Sequence, residues 1–208
     1  MKIHKIQGDI TNETAASFKN SVSVDCEMQG LVPLRDKLSL ITLTCDDENI
    51  YIVQPDKKTY QAPNLVSVLE NDKIMKIFHY ARMDVHFLEV YLKTKVKNYW
   101  CTKLMSRISR TFSPNHGLKD LCESLCKVKL DKKVGSSTDW NKNLSEISDK
   151  EANYAANDVR YLKTIKDKLQ AMLEREKRFD LFLVTMKGLE SRIELDKAGF
   201  KDPNIYEH

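Results

Sequence analysis

Two acids spaced two apart, Asp25 and Glu27, close the alternating run Ser21-Val-Ser-Val-Asp-Cys-Glu-Met-Gln-Gly30. In a strand that spacing sends both carboxylates to one face. Acids are poor strand formers, and two of them ending a β-branched run break a local rule in the way functional sites do. Taken alone, the pair also reads as a polar strand end entering the Gly30 turn. A third acid, Asp84, sits in Phe78-His-Tyr-Ala-Arg-Met-Asp-Val-His-Phe-Leu88, where a strand passes into a helix. Alone it reads equally well as an N-terminal acid favoured by the helix macrodipole. The fourth, Asp158, lies in Tyr154-Ala-Ala-Asn-Asp-Val-Arg-Tyr-Leu162, with Tyr154 four residues earlier on the same helical face. Both adjoin the apolar stripe of Ala155, Val159 and Leu162, where an unneutralised acid carries a desolvation penalty.

Four inward-facing acids need cations or shared protons, because two like charges about 4 Å apart repel by roughly 4 kcal/mol at an effective dielectric near 20. Divalent ions meet that need. A ligand set of oxygens, without His or Cys, favours Mg²⁺ or Mn²⁺ over zinc, and two such ions about 3.5–4 Å apart suit in-line displacement at a phosphodiester. Tyr154, one turn before Asp158, is placed to hydrogen-bond an attacking water, either as base or as orienting group.

These residues must be positioned by the elements between them. Ile3 to Ile6 reads as a short lead-in strand, followed by a turn at Gly8-Asp9 and a short helix capped by Asn12. After the strand at 21–27, the alternation of Leu38 to Cys45 marks a second strand, and Asp46 to Asn49 turns into Ile50 to Val53. Three strands in succession predict antiparallel neighbours. Strand-helix alternation then takes over. A brief helix (Leu65, Val68, Leu69) leads to the strand Ile74 to His79, and a helix follows with Ala81, Val85, Leu88 and Leu92 on one stripe. Tyr99 to Cys101 reads as a last short strand before helices over 102–111 and 117–127. A loop is predicted over 129–143. One long helix then runs from about Ser145 through Ala155, Val159, Leu162, Leu169 and Met172, and a further helix reaches Lys197. The expectation is an α/β fold: a mixed five-stranded sheet, three antiparallel strands first and then parallel ones, with helices on both faces. Residues 1–175 form one domain and 176–208 a helical extension packed on it.

A chain of 208 residues is long enough to bury a proper core. Hydrophobic content of 41% with 31% charged residues describes an ordinary soluble globular protein. A net charge of +4 is compatible with a polyanionic partner but too mild to establish one. The N-terminus shows no signal-like apolar stretch and no run approaches membrane-spanning length, so a cytoplasmic protein without a membrane partner is expected. Five cysteines, an odd number with no Cys-x-x-Cys, imply neither a disulfide framework nor a zinc site. Cys122 and Cys126, on one helical face, read as buried apolar thiols.

Val-Asp-Cys-Glu at 24–27, His-Tyr-Ala-Arg-Met-Asp at 79–84 and Tyr-Ala-Ala-Asn-Asp-Val at 154–159 resemble, in order, the three motifs of the DEDDy-type 3′-5′ exonucleases, with ribonuclease D the nearest match. Thr138-Asp-Trp140 and Leu118-Lys-Asp-Leu121 resemble that family too, and the resemblance covers about residues 20–170. It implies an RNase H-like fold, two metal ions at Asp25, Glu27, Asp84 and Asp158, and release of 5′-mononucleotides from an RNA 3′ end, single-stranded or tRNA-like, as in tRNA or other structured-RNA processing. Action on single-stranded DNA, or a catalytically silent RNA-binding module, are the alternatives. The family's further C-terminal helical domains have no counterpart, which implies a short form. Cys26 stands where Thr is common, and Tyr80 where Asn or Gly is usual after His79.

Met28 and Gln29 follow the acids directly and are candidates to touch the terminal nucleotide, although Met28 reads equally as core filler. His79 reads as a buried strand-end residue beside the site or as a substrate contact. His86 lies off the acid face and is expected on the surface. Lys129, Lys132 and Lys133 flank the loop before the last motif, as phosphate contacts or as a plain solvated charge run. The apolar positions Leu181, Val184, Leu189 and Ile193 in the last helix offer either a packing face or a homodimer contact.

Overall fold

The computed structural model describes residues 1–46, 48–130, 138–205 and 207. Among them are six strands: β1 (Lys2–Gln7), β2 (Ser21–Met28), β3 (Leu38–Thr44), β4 (Asn49–Gln54), β5 (Met75–Phe78) and β6 (Tyr99–Cys101). They form one mixed sheet in the order β1-β4-β3-β2-β5-β6. β2, β3 and β4 run antiparallel in succession, while β5 joins β2 and β6 joins β5 in parallel. The expected five strands become six because the lead-in strand is a full member of the sheet. Its residues Lys2 to Gln7 pair in parallel with Asn49 to Gln54, a long-range pairing that local alternation does not encode.

The helices are α1 (Asn12–Ser17), α2 (Pro63–Glu70), α3 (Ala81–Leu92), α4 (Thr102–Ser109), α5 (Leu118–Leu121), α6 (Asp149–Arg160), α7 (Leu162–Arg175) and α8 (Phe179–Lys197). Two expectations are corrected here. The helix expected over 117–127 is α-helical for only four residues and continues as a π-helical turn, Cys122–Cys126. The single long helix expected from about Ser145 is a 3₁₀ turn, Leu144–Glu146, followed by α6 and α7, which part at Tyr161. The break frees the two halves to pack differently: α6 lies on β2, β3 and β4, whereas α7 lies mainly against α4.

Every residue of β3 is buried, so the sheet is covered on both faces. On one face Val22, Val24, Cys26, Ile41, Leu43 and Val53 pack with Leu65, Val85 and Leu88 of α2 and α3. On the other, Leu40 and Ile52 pack with Trp140, Leu144, Ile147 and the alanines 152 and 155 of α6. Each large aliphatic side chain so buried stabilises the fold by about 1.5–3 kcal/mol. Small alanines let α6 approach the sheet closely. Because Asp25 and Glu27 alternate with Val24 and Cys26, both acids must emerge on the face that α6 covers.

Lys76 on β5 is fully buried, an exception to the rule that lysines stay wet. Its Nζ donates to the carbonyls of Asn71, just past the end of α2, and of Ile74, just before β5, each at 2.7 Å. Burial pulls its ammonium down to about 8. In α8, Ile193 is buried and Leu189 packs against the main core, leaving Leu181 and Val184 exposed. Half of the stripe read as a homodimer contact therefore faces the chain's own interior.

Candidate active site

In β2, Asp25 stands opposite Thr42 and Glu27 opposite Leu40, and the register shifts between Glu27 and Met28. That irregularity ends the regular ladder at the second acid, as bulges beside active sites do. The opposing helix is anchored from its first turn. Ser148 Oγ accepts from the Glu151 backbone N at 3.3 Å, and a Glu151 carboxylate oxygen accepts from the Ser148 backbone N at 2.9 Å. Lys142 Nζ donates to the same carboxylate at 2.7 and 2.8 Å. Burial works against its ionisation, but Lys142 and the Ser148 hydrogen bonds prevail and hold Glu151 down at about 2. This clamp fixes the rotation of α6 and so the direction in which Tyr154 and Asp158 project.

One carboxylate oxygen from each of Asp25, Glu27 and Asp158 lies within 4.8 Å of the others. Asp84, nearly fully buried at the first turn of α3, is not part of that three-acid group; its carboxylate accepts from the Cys26 backbone N–H and feels the charge of Asp158. Burial pushes its carboxyl well above the usual carboxylate range, the backbone N–H of Cys26 pulls it back, and the charge of Asp158 pushes it up again. Burial raises the Tyr154 phenol far above its usual value, and the carboxylates of Asp158, Glu27 and Asp25 add to the effect. The Tyr154 hydroxyl hydrogen-bonds Asp158, and its ring lies 6.0 Å from that of Trp140. The chemistry of this donor set fits hard divalent cations: the ligands are oxygens, their charges repel, and the buried hydroxyl of Thr42, across the strand from Asp25, has no partner among the described residues.

The other predicted residues divide. His79 Nδ1 lies 2.9 Å from Thr102 Oγ1, which itself donates to the Phe78 carbonyl at 3.0 Å, so the ring N–H is assigned to Nδ1. Met28 is half-buried against the core and Gln29 is exposed beyond the acids. Lys132 and Lys133 lie outside the described residues. Lys129 is exposed, 3.7 Å from Glu123. His86 does lie off the acid face, but the expectation of a surface residue is corrected: it is buried, because the end of α8 covers that side of α3.

Sequence reasoning missed a basic pocket of about 280 Å³ at the start of α3, lined by Tyr80, Arg82, Lys103 and Arg107. Lys103 and Arg107, four apart on α4, were its available signal. Lys103 Nζ sits 4.2 Å over the Tyr80 ring. Tyr80 itself has φ 75° and ψ 43°, in the left-handed region. This explains why Asn or Gly is usual there, since those residues tolerate it at least cost.

The family described as 3′-5′ exonuclease matches residues 7–174, most of the chain. The chain belongs to the 3′-5′ exonuclease family. Among curated relatives of this exonuclease, the ribonuclease D of Gluconacetobacter diazotrophicus is 29% identical over 159 residues, covering 76% of this chain and 39% of that protein. The chain thus spans well under half the length of that relative. Brucella melitensis NrnC, solved with bound Mg²⁺, is 33% identical with a TM-score of 0.91 over 100% of both chains. The same protein bound to pGG superposes with a TM-score of 0.92 at 34% identity, covering 100% of this chain and 99% of that one. Escherichia coli RNase D, 22% identical with a TM-score of 0.79 over 93% of this chain and 51% of that one, shares the fold.

Proposed function

We propose that this exonuclease is a divalent-metal-dependent exoribonuclease that removes 5′-mononucleotides from RNA 3′ ends. The convergence of Asp25, Glu27 and Asp158 carries the reading. Two divalent ions, Mg²⁺ or Mn²⁺, would be held by these residues with Asp84 and would supply charge neutralisation and activation of the attacking water. Tyr154, whose hydroxyl hydrogen-bonds Asp158, is placed to hold that water, as orienting group or as base. Met28 and Gln29, directly after the acids, would touch the terminal nucleotide, and His79, tied to Thr102 at the first residue of α4, would support the strand end beside them. Lys103 and Arg107, the cations of the basic pocket that Asp196 does not neutralise, receive substrate phosphates.

Short 5′-phosphorylated RNA is the favoured substrate, because one of the full-length matches is to a protein solved with pGG. A tRNA-like 3′ end is the second reading, favoured by the ribonuclease D relatives. Two copies pairing through the exposed Leu181 and Val184 of α8 would extend the assembly.

The test uses 5′-labelled RNA with Mg²⁺ or Mn²⁺. A stepwise ladder from the 3′ end is expected, lost with EDTA or Asp158→Asn and weakened by a 3′-phosphate. Cleavage within the strand would overturn the exonuclease reading, and a preference for single-stranded DNA would overturn RNA as substrate. Comparing a dinucleotide with a tRNA precursor decides substrate length.

A further inference from the structure

We propose that the outer face of α4 and the 110–117 loop form a second nucleic-acid contact, a track that grips single-stranded RNA upstream of the end held at the acids. Its direction rests on the exonuclease reading, which it carries further: a dinucleotide ends at the basic pocket, whereas a longer strand runs on. β2, β5 and β6 are parallel neighbours, with Ser23 level with Ile77 and Phe78 level with Cys101. Thr102, the first residue of α4, is thus level with His79 and Asp25 at one end of the sheet, two strands or about 10 Å from the acid.

From there Lys103, Arg107 and Arg110 follow at spacings of four and three, a stripe about 10 Å long on one side of the helix, while Met105 and Ser109 are buried on the other. None of the three makes an ion pair among the described residues. Arg110 is 7% exposed, and among those residues its guanidinium donates only to the Asn115 carbonyl, at 3.5 Å. Buried charges are ordinarily paired, so an anion is what this cluster lacks. His116 closes the group, its Nδ1 2.9 Å from Ser106 Oγ. Burial, and then the charges of Arg107, Arg110 and Lys103, hold its imidazole below the usual range. The three cations therefore bear on one spot, where a negative occupant relieves their mutual repulsion.

Aromatic rings mark both ends of the stripe. Tyr80 stands at the near end, with Lys103 Nζ 4.2 Å over its ring, and Phe112, two residues beyond Arg110, is 80% exposed. Free phosphate or an anionic headgroup would use the cations and leave the Phe112 ring in water. A single strand uses both, because its backbone follows the positive charges while its bases stack on an exposed ring whatever their sequence. A duplex, with its bases already stacked inside, offers that ring nothing.

The test is calorimetric titration of the full chain in EDTA, where no turnover occurs, with 5′-phosphorylated diadenylate and hexaadenylate. The hexamer is expected to bind more tightly than the dimer. Phe112→Ala, at an exposed position, should weaken the hexamer by about 5-fold or more, the equivalent of one stacked base, and leave the dimer as it was. Arg110→Gln should lower the salt dependence of hexamer binding by about 0.7 in the slope of log affinity against log salt, the share of one phosphate contact. Phe112→Ala decides the matter if Arg110→Gln does not fold. No binding of the hexamer by the unaltered chain, a dimer bound as tightly, a hexamer indifferent to Phe112→Ala, or equal weakening of both ligands would overturn the proposal. Failure of the exonuclease reading shows separately, as absence of the ladder with metal present.

Discussion

Asp158 concentrates the electrostatic strain of the site. Its charge raises both the Asp84 carboxyl and the Tyr154 phenol, each already raised by burial. Asp158→Asn removes one like charge while keeping the shape. In metal-free buffer the variant should therefore be more stable, by about 0.5–2 kcal/mol, and Mg²⁺ should raise the melting temperature of the parent but not of the variant. Its exonuclease activity should fall by more than about 100-fold, beyond the loss of a merely supporting group. Paired melting curves and digestions check both signs. Gly30 makes a different point. A Cβ there would collide with the carboxylate of Asp36, which accepts from the Val32 backbone N at 2.9 Å and from Arg35 Nε and Nη2 at 2.6 and 2.8 Å. Gly30→Ala should displace that carboxylate, release the 31–36 loop and cost roughly 1–3 kcal/mol in denaturant melts. Gly30→Ser should do the same, since any Cβ suffices.

At the scale of elements, α6 delivers half the acid chemistry, and its rotation depends on the Glu151 clamp. Glu151 sits at about 2 in the folded chain, below its ordinary 4.5. A depressed carboxylate stabilises the fold fully above its unfolded value, and that contribution fades as pH falls from about 4.5 towards 2. Glu151→Gln should abolish this dependence and cost about 1 kcal/mol at neutral pH, the usual price of a lost cap. Melting temperature against pH, parent beside variant, reads it directly. The same helix shows what sequence can carry. Ala152, Ala155 and Val159 repeat at helical spacing, so the buried face was legible, as was the one-sided placement of Asp25 and Glu27. The break at Tyr161 was not, because no Gly or Pro marks it and the apolar period continues through it. It is imposed by α6 and α7 finding different partners. The pairing of β1 with β4 and the burial of His86 were hidden for the same reason: both depend on segments distant in the chain.

At the scale of the molecule, α8 is fastened to the helix that carries Asp84. Asp196 takes Arg82 at 2.6 and 2.8 Å and Arg192 at 2.7 Å, while Lys197 reaches Glu89 at 2.8 Å. Phe179 and Phe182 pack on the Trp100 ring at 5.5 and 5.3 Å. The two ion pairs are not equivalent. The Arg82 side chain is 34% exposed and can recover water if Asp196 is lost, whereas the Glu89 side chain is 1% exposed. Breaking a buried pair from one side typically costs 3–5 kcal/mol, because the remaining charge stays dry. Lys197→Ala leaves Glu89 its Val96 backbone N–H, at 3.1 Å, and the more exposed Lys95, so its cost should lie below that range and exceed that of Asp196→Ala. If residues 176–208 are integral to the exonuclease unit, α8 amides in the parent should exchange only with global unfolding. In the Asp196→Ala, Lys197→Ala double variant they should exchange ahead of the sheet, with Arg82 released and Asp84 still in place. Hydrogen exchange followed by mass spectrometry separates the cases. Early exchange of α8 in the parent would instead make it a detachable appendage.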